Sequence, residues 1–483
     1  MTGSRLLVAG IDSSTQACKV TVRDAATGAT VREGKAPHPL ATIVDPEVWW
    51  RALLDAVHAA GGLDDVAAIS VSGQQHTPIF LDETGTPTSP SPLWNDTGSH
   101  PHMIALNAEL GRDEWIRRTG LPLTLSDTVV KARWLRDRHP TRAAATVAIA
   151  VVHDWLTWRL RGHGPGGGGI DELVTDRSEA SGTGYWSPDT GEYTHDLLVH
   201  ALGRDALLPQ VRGPLDRAGV TAAGLPGIPA GIAIGVGSGD NAAAALALGL
   251  ADRDGVMSIG TSGVVYARSD TPVHDYAGYV CSYADATGEH LPLVATLNAA
   301  RNLHVGAGLL GCSYTELSDL ALTARAGAEG LTLLPYFEGE RTPDLPDARG
   351  SMHGATLTNL TRANFARAVV EGTMASQVAM LDALNECGVA VDRLLLIGGA
   401  AKNPAVQQVL SQMVSLPIGI PAADEYVARG AAMQAVAALD GTFPSWPVDV
   451  AALDPVPHEP LIAQQHRRAQ ESLGYVDPAV ARR

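Results

Sequence analysis

The sequence predicts an α/β protein made of two related halves, and three observations predict it. Apolar strand-like runs alternate with longer amphipathic stretches, a strand–polar turn–strand unit near the start recurs just past the middle, and a Pro/Gly cluster separates the copies. The 483 residues suit three domains of about 150 residues or two larger units. Apolar residues make up 45% and charged residues 18%, which excludes extensive disorder.

The elements follow in order. Arg5 to Gly10 reads as a buried strand, Ile11 to Ala17 as a polar turn, and Cys18 to Val22 as the returning strand of a hairpin. Pro46 to Ala60 has helical spacing, with Trp49 and Leu53 to Val57 on one face. Gly162 to Gly169, GHGPGGGG, is low-complexity; no Lys-Ser/Thr follows, so it predicts a mobile hairpin tip and not a phosphate loop. Leu225 to Gly231 is the strongest turn cluster outside that run and sets the expected boundary between an N-terminal domain, 1–231, and a C-terminal domain, 232–483. Beyond it come a strand at Ile232 to Val236, a turn with Gly235, Gly237 and Gly239, and an alanine-rich helix opened by Asp240-Asn241. Gly255 to Ile259, Gly260 to Gly263 and Val264 to Arg268 repeat the opening hairpin. Helices are expected at Thr361 to Asn385 and Asn403 to Ser415, with a strand at Leu394 to Ile397 between them.

Charge removes whole classes of partner. The balance of 35 Lys and Arg against 52 Asp and Glu leaves −17, which repels a nucleic-acid backbone and an anionic membrane surface. The longest membrane-span candidate, Ala242 to Leu250, is far below 18 residues, and the N-terminal apolar run is too short for a signal-peptide core. The four cysteines are scattered with no CxxC pair or metal-ligand spacing, so a cytoplasmic, reducing home is expected. Lysine occurs only at Lys19, Lys35, Lys131 and Lys402, which reads as composition bias.

Three segments could carry chemistry. Asp240 stands at a helix mouth, where an Asp is ordinarily an N-cap; glycines on its N-terminal side would also let a ligand approach it as a proton acceptor. Asp12-Ser13-Ser14-Thr15 and Gly260-Thr261-Ser262-Gly263 offer amides and hydroxyls that suit phosphate oxygens, and Asp12 beside such a nest makes sense with a divalent cation between them. Gly398-Gly399-Ala400-Ala401, followed by Lys402-Asn403-Pro404, forms a nucleotide-sized shelf of small residues that Gly430-Ala431-Ala432 could complete.

Taken together, GIDSST at Gly10 to Thr15, GQQH at Gly73 to His76, LWND at Leu93 to Asp96, GDNAAAA at Gly239 to Ala245, SIGTSG at Ser258 to Gly263, LPYFEGERTP at Leu334 to Pro343 and LIGGAAKN at Leu396 to Asn403 resemble the FGGY carbohydrate kinases. The resemblance runs in order over nearly the whole chain. It implies the duplicated actin-like, hexokinase-like (ribonuclease H-like) ATPase fold, two lobes around a cleft. It further implies ATP- and Mg²⁺-dependent phosphorylation of a ketose such as D-xylulose, and a homodimer. Asp240 is then the general base and Asp12 the Mg²⁺-orienting acid. Gln75, His76 and Asn241 contact the sugar, while Thr15, Gly260, Thr261, Gly399, Ala400 and Asn403 line the ATP site.

The chain departs from the family pattern at several places. Gln75 and Thr77 flank His76 where relatives carry Met and Gly, and Gly98 stands where glycerol kinases place a substrate-gripping Arg. Ser14, Ala17 and Ala400 replace glycines. Ribulose, a hexulose, gluconate or glycerol are the alternative acceptors, and a non-catalytic actin-like ATP-binding module is the alternative class. Trp94 is either sugar-facing or core. Glu340-Arg341-Thr342 has no role beyond bracing the cleft through an Arg–carboxylate pair.

Overall fold

The computed structural model describes residues 5–475. Strand β1 (Leu7–Ser13) is buried at every position and turns through Ser14–Gln16 into β2 (Ala17–Asp24), pairing Asp12 with Lys19. The strand thus runs three residues past its expected end and carries Asp12 itself. β3 (Thr30–Pro37) follows, then α1 (Glu47–Ala59), which buries Trp49, Leu53, Ala56 and Val57 on one face as expected, and β4 (Val66–Gly73), parallel to β1. Helices α2 (Thr128–Arg138), α3 (Val152–Leu160) and the short α4 (Arg177–Ser181) lead to β5 (Arg217–Val220), β6 (Ala233–Gly235) and β7 (Ser238–Gly239). The first sheet has the order β5-β6-β4-β1-β2-β3, with β7 also on β4.

After α5 (Asp240–Leu248) the second sheet assembles. Its strands are β8 (Asp254–Ile259), β9 (Gly263–Ala267), β10 (Cys281–Ala284), β11 (His290–Thr296), β12 (Arg393–Ile397), β13 (Ile418–Pro421) and β14 (Val450–Ala452), in the order β10-β11-β9-β8-β12-β13-β14. Helix α6 (Arg362–Glu386) precedes β12, α7 (Pro404–Met413) links β12 to β13, and α8 (Tyr426–Asp440) links β13 to β14. The sheets repeat one pairing scheme. A hairpin (β1–β2, β8–β9) extends antiparallel on one side (β3, β11), and its first strand pairs parallel on the other with β4 or β12. A further parallel strand and an antiparallel edge then close each sheet. The duplication expected from two small-residue turns extends across both sheets, with β7 and β10 as the strands that have no counterpart.

Two expectations meet a different structure. The strand after the 231/232 boundary, β6, belongs to the first sheet, so the sheets part at α5 and not at the Pro/Gly cluster. Gly162–Gly169 is no hairpin tip: it joins α3 to a 3-10 turn, with the Gly168 amide on the Thr84 carbonyl and Trp158 Nε1 on the Gly169 carbonyl.

Helices α5 and α8 lie between the two sheets. One apolar cluster joins Val8 and Ala68 of the first sheet, Ala242 and Ala245 of α5, Ala432 and Val436 of α8, and Val256 and Leu395 of the second. Small residues are what permit this layer. A Cβ at Gly430 would stand 2.0 Å from the Ala243 carbonyl oxygen, and one at Gly10 would stand 1.8 Å from that of Ala428. Gly430 therefore serves a helix crossing and not the nucleotide shelf. No helix among the described residues is long and apolar enough to cross a membrane.

Candidate active site

Asp240 occupies the first position of α5, and Gly239, extended at φ −66 and ψ 158, is the N-cap. Its carboxylate is therefore free of the capping role. Local sequence explains the placement: a Cβ at Gly237 would lie 2.1 Å from His153 Nε2, and one at Gly239 would lie 2.7 Å from Gln75 Cγ, so only glycines bring the strand this close. The Gly239 amide donates to Ser178 Oγ at 2.9 Å. Asp240 Oδ1 accepts from the Asn241 amide at 2.7 Å and from Asn241 Nδ2 at 2.9 Å. Oδ2 carries no protein hydrogen bond among the described residues. Burial first, and the charge of Asp12 second, push the Asp240 carboxyl up to about 7.

Asp12, fully buried at the end of β1, accepts from Ser14 Oγ, and Lys19 Nζ lies 3.6 Å from its Oδ2. Lys19 is held in turn by Glu425 at 2.6 Å. Burial raises the Asp12 pKa, while Ser14 and Lys19 oppose the rise. Among the described residues no three metal-binding side chains gather. Two carboxylates in mutual repulsion, Asp12 buried and Asp240 half-buried, nevertheless fit a cation that takes most of its ligands from bound phosphates and water. The Thr15 hydroxyl accepts from Trp94 Nε1 at 2.8 Å, so the half-buried Trp94 joins the LWND segment to the phosphate turn.

Just beyond the end of β4, the parallel neighbour of β1, Gln75 Nε2 donates to the Ser178 carbonyl at 2.9 Å. His76 has a left-handed backbone, φ 73, fixed by Thr128 Oγ1 on its carbonyl at 2.9 Å. Its Nδ1 lies 2.7 Å from the Gly182 carbonyl. That carbonyl can only accept, so Nδ1 bears the proton and Nε2 is left as an acceptor. Burial, with Arg341 and Lys131 nearby, depresses the His76 pKa to about 4 and keeps the ring neutral. The ring packs against Tyr283 of the second sheet at 5.8 Å.

The nucleotide side agrees only in part with expectation. The Gly260 amide is turned onto the Ser262 carbonyl at 3.0 Å and is not free for a phosphate, whereas Thr261 is exposed. Gly399 is open, with nothing within 4 Å of an added Cβ. Ala400 is 1% exposed and packs into the apolar core of the second lobe. Asn403 caps α7: its Oδ1 accepts from the Ala405 amide at 2.9 Å and Ser318 Oγ at 2.9 Å. Its side chain is committed to the helix, because Asn before Pro is an excellent cap. Glu340 does not pair with the Arg341 side chain; it accepts from the amides of Leu297 and Arg341 and from Asn298 Nδ2.

Both halves of the chain match one family. Residues 7–247 match the N-terminal domain of the FGGY family of carbohydrate kinases, and residues 255–439 match its C-terminal domain. The chain belongs to the FGGY carbohydrate kinases. It is 40% identical over 448 residues to a xylulose kinase of Streptomyces rubiginosus, covering 91% of this chain and 89% of that protein. The crystal structure of a xylulose kinase from Bifidobacterium adolescentis superposes with a TM-score of 0.90 at 40% identity, covering 96% of this chain and 99% of that one. A Plasmodium falciparum glycerol kinase with ADP shares the fold at a TM-score of 0.85 and 18% identity, over 97% and 98% of the chains. The actin-like, hexokinase-like two-domain fold is thereby established.

Several residues around this kinase's cleft escaped the sequence. Lys131, fully buried, donates to the Asp96 carbonyl at 3.0 Å and Ser99 Oγ at 2.8 Å. Glu179 is fully buried, with neither carboxylate oxygen partnered, and burial beside Asp176, Asp154 and Asp240 raises its pKa strongly. Asp127 Oδ1 lies 3.5 Å from His76 Nδ1. The scarcity of lysine was a signal: two of the four, Lys19 and Lys131, stand in this region. The acids gave no signal, since carboxylates in an acidic chain are expected to be solvated.

Proposed function

We propose that this FGGY kinase transfers the γ-phosphoryl group of ATP to D-xylulose, giving D-xylulose 5-phosphate and ADP. The observation that supports it is the Asp240 carboxylate, half-buried at the head of α5 with one oxygen unused, within reach of the Asp12 charge and following Gly239, which packs on Gln75. Similarity to xylulose kinases at 40% identity over about nine-tenths of the chain supports the choice of sugar.

In this reading Asp240 takes the proton of the attacking sugar hydroxyl as the new O–P bond forms and the bond to ADP breaks. A carboxyl poised near 7 is strong enough as a base for that transfer and is regenerated by losing the proton to water. Asn241 aims it by holding Oδ1. The bare Nε2 of His76 accepts from a second sugar hydroxyl, and Gln75, its amide nitrogen committed to Ser178, offers its oxygen. Thr15, Thr261 and the open backbone at Gly399 receive the nucleotide. Mg²⁺ arriving with ATP would be held by Asp12 and would neutralise charge on the transferring phosphoryl group.

A coupled ADP-release assay over a panel of ketoses and polyols tests the substrate. Turnover highest with D-xylulose is expected. Preference for ribulose, a hexulose, gluconate or glycerol would reassign the sugar, and ATP hydrolysis indifferent to all of them would favour the non-catalytic actin-like reading.

A further inference from the structure

His76 is surrounded by charges that do not meet. Asp127 begins α2, yet its carboxylate does not cap that helix: Oδ2 accepts from the Thr124 amide at 2.7 Å and from Thr124 Oγ1 at 3.3 Å. Oδ1 is buried without a hydrogen-bond partner. Three cationic or basic groups face it. His76 is the nearest, but its Nδ1 proton is already on the Gly182 carbonyl. Lys131 is spent on the Asp96 carbonyl and Ser99. Arg341 comes from the other lobe, where its guanidinium rests on Cys281 near Tyr283, within reach of the Asp127 charge but in no ion pair with a carboxylate among the described residues. Its neighbour Glu340 is saturated by two amides and Asn298. One lobe thus holds a buried carboxylate oxygen without a partner, and the other a guanidinium without a carboxylate, both close to His76.

We infer that Asp127 and Arg341 are an interlobe pair of positioning residues: substrate binding draws the Arg341 guanidinium off Cys281 and onto Asp127 Oδ1, locking His76 with Nε2 toward the sugar. Asp127 Oδ1 then acquires its partner only in the substrate complex, so the stabilisation is realised when the site is assembled and not before. An ion pair already fixed in the free enzyme would give no such bias. The inference rests on the sugar-kinase reading above for what His76 contacts.

A double-mutant cycle tests it. Asp127→Asn and Arg341→Gln are each expected to raise KM for D-xylulose about tenfold, with kcat within about threefold and KM for ATP unchanged. The double variant is expected to be no worse than either single, and Arg341→Lys to recover most of the loss. A double variant in which the two effects multiply, or an Asp127→Asn enzyme with wild-type KM, overturns the pair. A purely structural role would lower the melting temperature and disturb both substrates' KM values, and that result also overturns it. Wild-type turnover measured alongside separates the two readings. If the wild type prefers another ketose, the cycle is run on that sugar, so the pair stands or falls independently of the assignment of xylulose.

Discussion

Asp240 shows how much one residue's position decides. An Asp at the N-cap would be satisfied by its own helix, whereas here glycine takes the cap and the carboxylate, displaced by one position, keeps Oδ2 without a protein hydrogen bond among the described residues. Asp240→Asn keeps the shape and removes the proton acceptor. It should lower kcat by about 10³ while leaving ATP affinity unchanged, as calorimetric titration against single-turnover rates would show. The pH dependence has a definite sign: the base works deprotonated, so kcat/KM should fall as pH drops through about 7. Linkage runs the other way for stability. The folded protein binds this proton more tightly than the unfolded chain, so the group's contribution is fully present below the model-peptide value near 4 and is lost as pH rises toward 7. Asp240→Asn should therefore unfold at higher urea than wild type at pH 8, by about 2 kcal/mol, and show little difference at pH 4. At this scale the sequence made local structure legible where a charge follows glycines, as at Asp240, which the glycine-rich turn sets at the head of α5. It did not show that the Asn403 side chain caps α7 and that Ala400 is packed inward, because a small-residue turn before a helix has the same composition whether it faces a nucleotide or its own N-terminus.

Among elements, the least legible one arranges the most. Helix α4 is five residues long and has no periodicity to read. Asp176 caps it, and its Ser178 holds both Gln75 and the Gly239 amide, while Ser181 Oγ accepts from the Ala284 amide of the other lobe at 3.0 Å. Ser178→Ala would leave the Gly239 amide buried without an acceptor. A loss of about 1–2 kcal/mol in urea unfolding is expected, together with a raised sugar KM. Helix α2 acts similarly through Lys131, whose ammonium ties down the turn at Asp96 to Ser99. Lys131→Met removes those two bonds. Amide hydrogen exchange over residues 94–100, followed by mass spectrometry, should accelerate about tenfold while exchange in β1 and β8 stays unchanged. The long periodic helices α1, α6 and α7 were recovered from sequence to within one or two residues at most of their ends, because an apolar face repeats over several turns and outweighs any single residue.

The whole molecule is two sheets held apart by a layer of two helices, and its most exacting demand lies where those helices cross. The hairpin repeat made the duplication legible, but the crossing was not. The alanine run of α5 looked like an ordinary helix, and Gly430 looked like part of a nucleotide shelf. The structure shows backbone against backbone: the space a Gly430 Cβ would occupy is 2.6 Å from the Ala243 carbonyl carbon as well as 2.0 Å from its oxygen. No side-chain rotation can relieve that contact, so Gly430→Ala must push α8 away from α5. Because α5 begins at Asp240 and α8 begins beside Glu425, which steadies Lys19 against Asp12, the displacement reaches both acids of the site. The variant should lose about 3 kcal/mol or more in urea unfolding and most of its turnover. Met433→Leu, a volume-conserving change in the same layer, should lose less than about 1.5 kcal/mol and keep its activity. If Gly430→Ala instead kept both stability and turnover, the two helices could not be packed as closely as their glycine requires, and the layer that joins the lobes would have to be drawn differently.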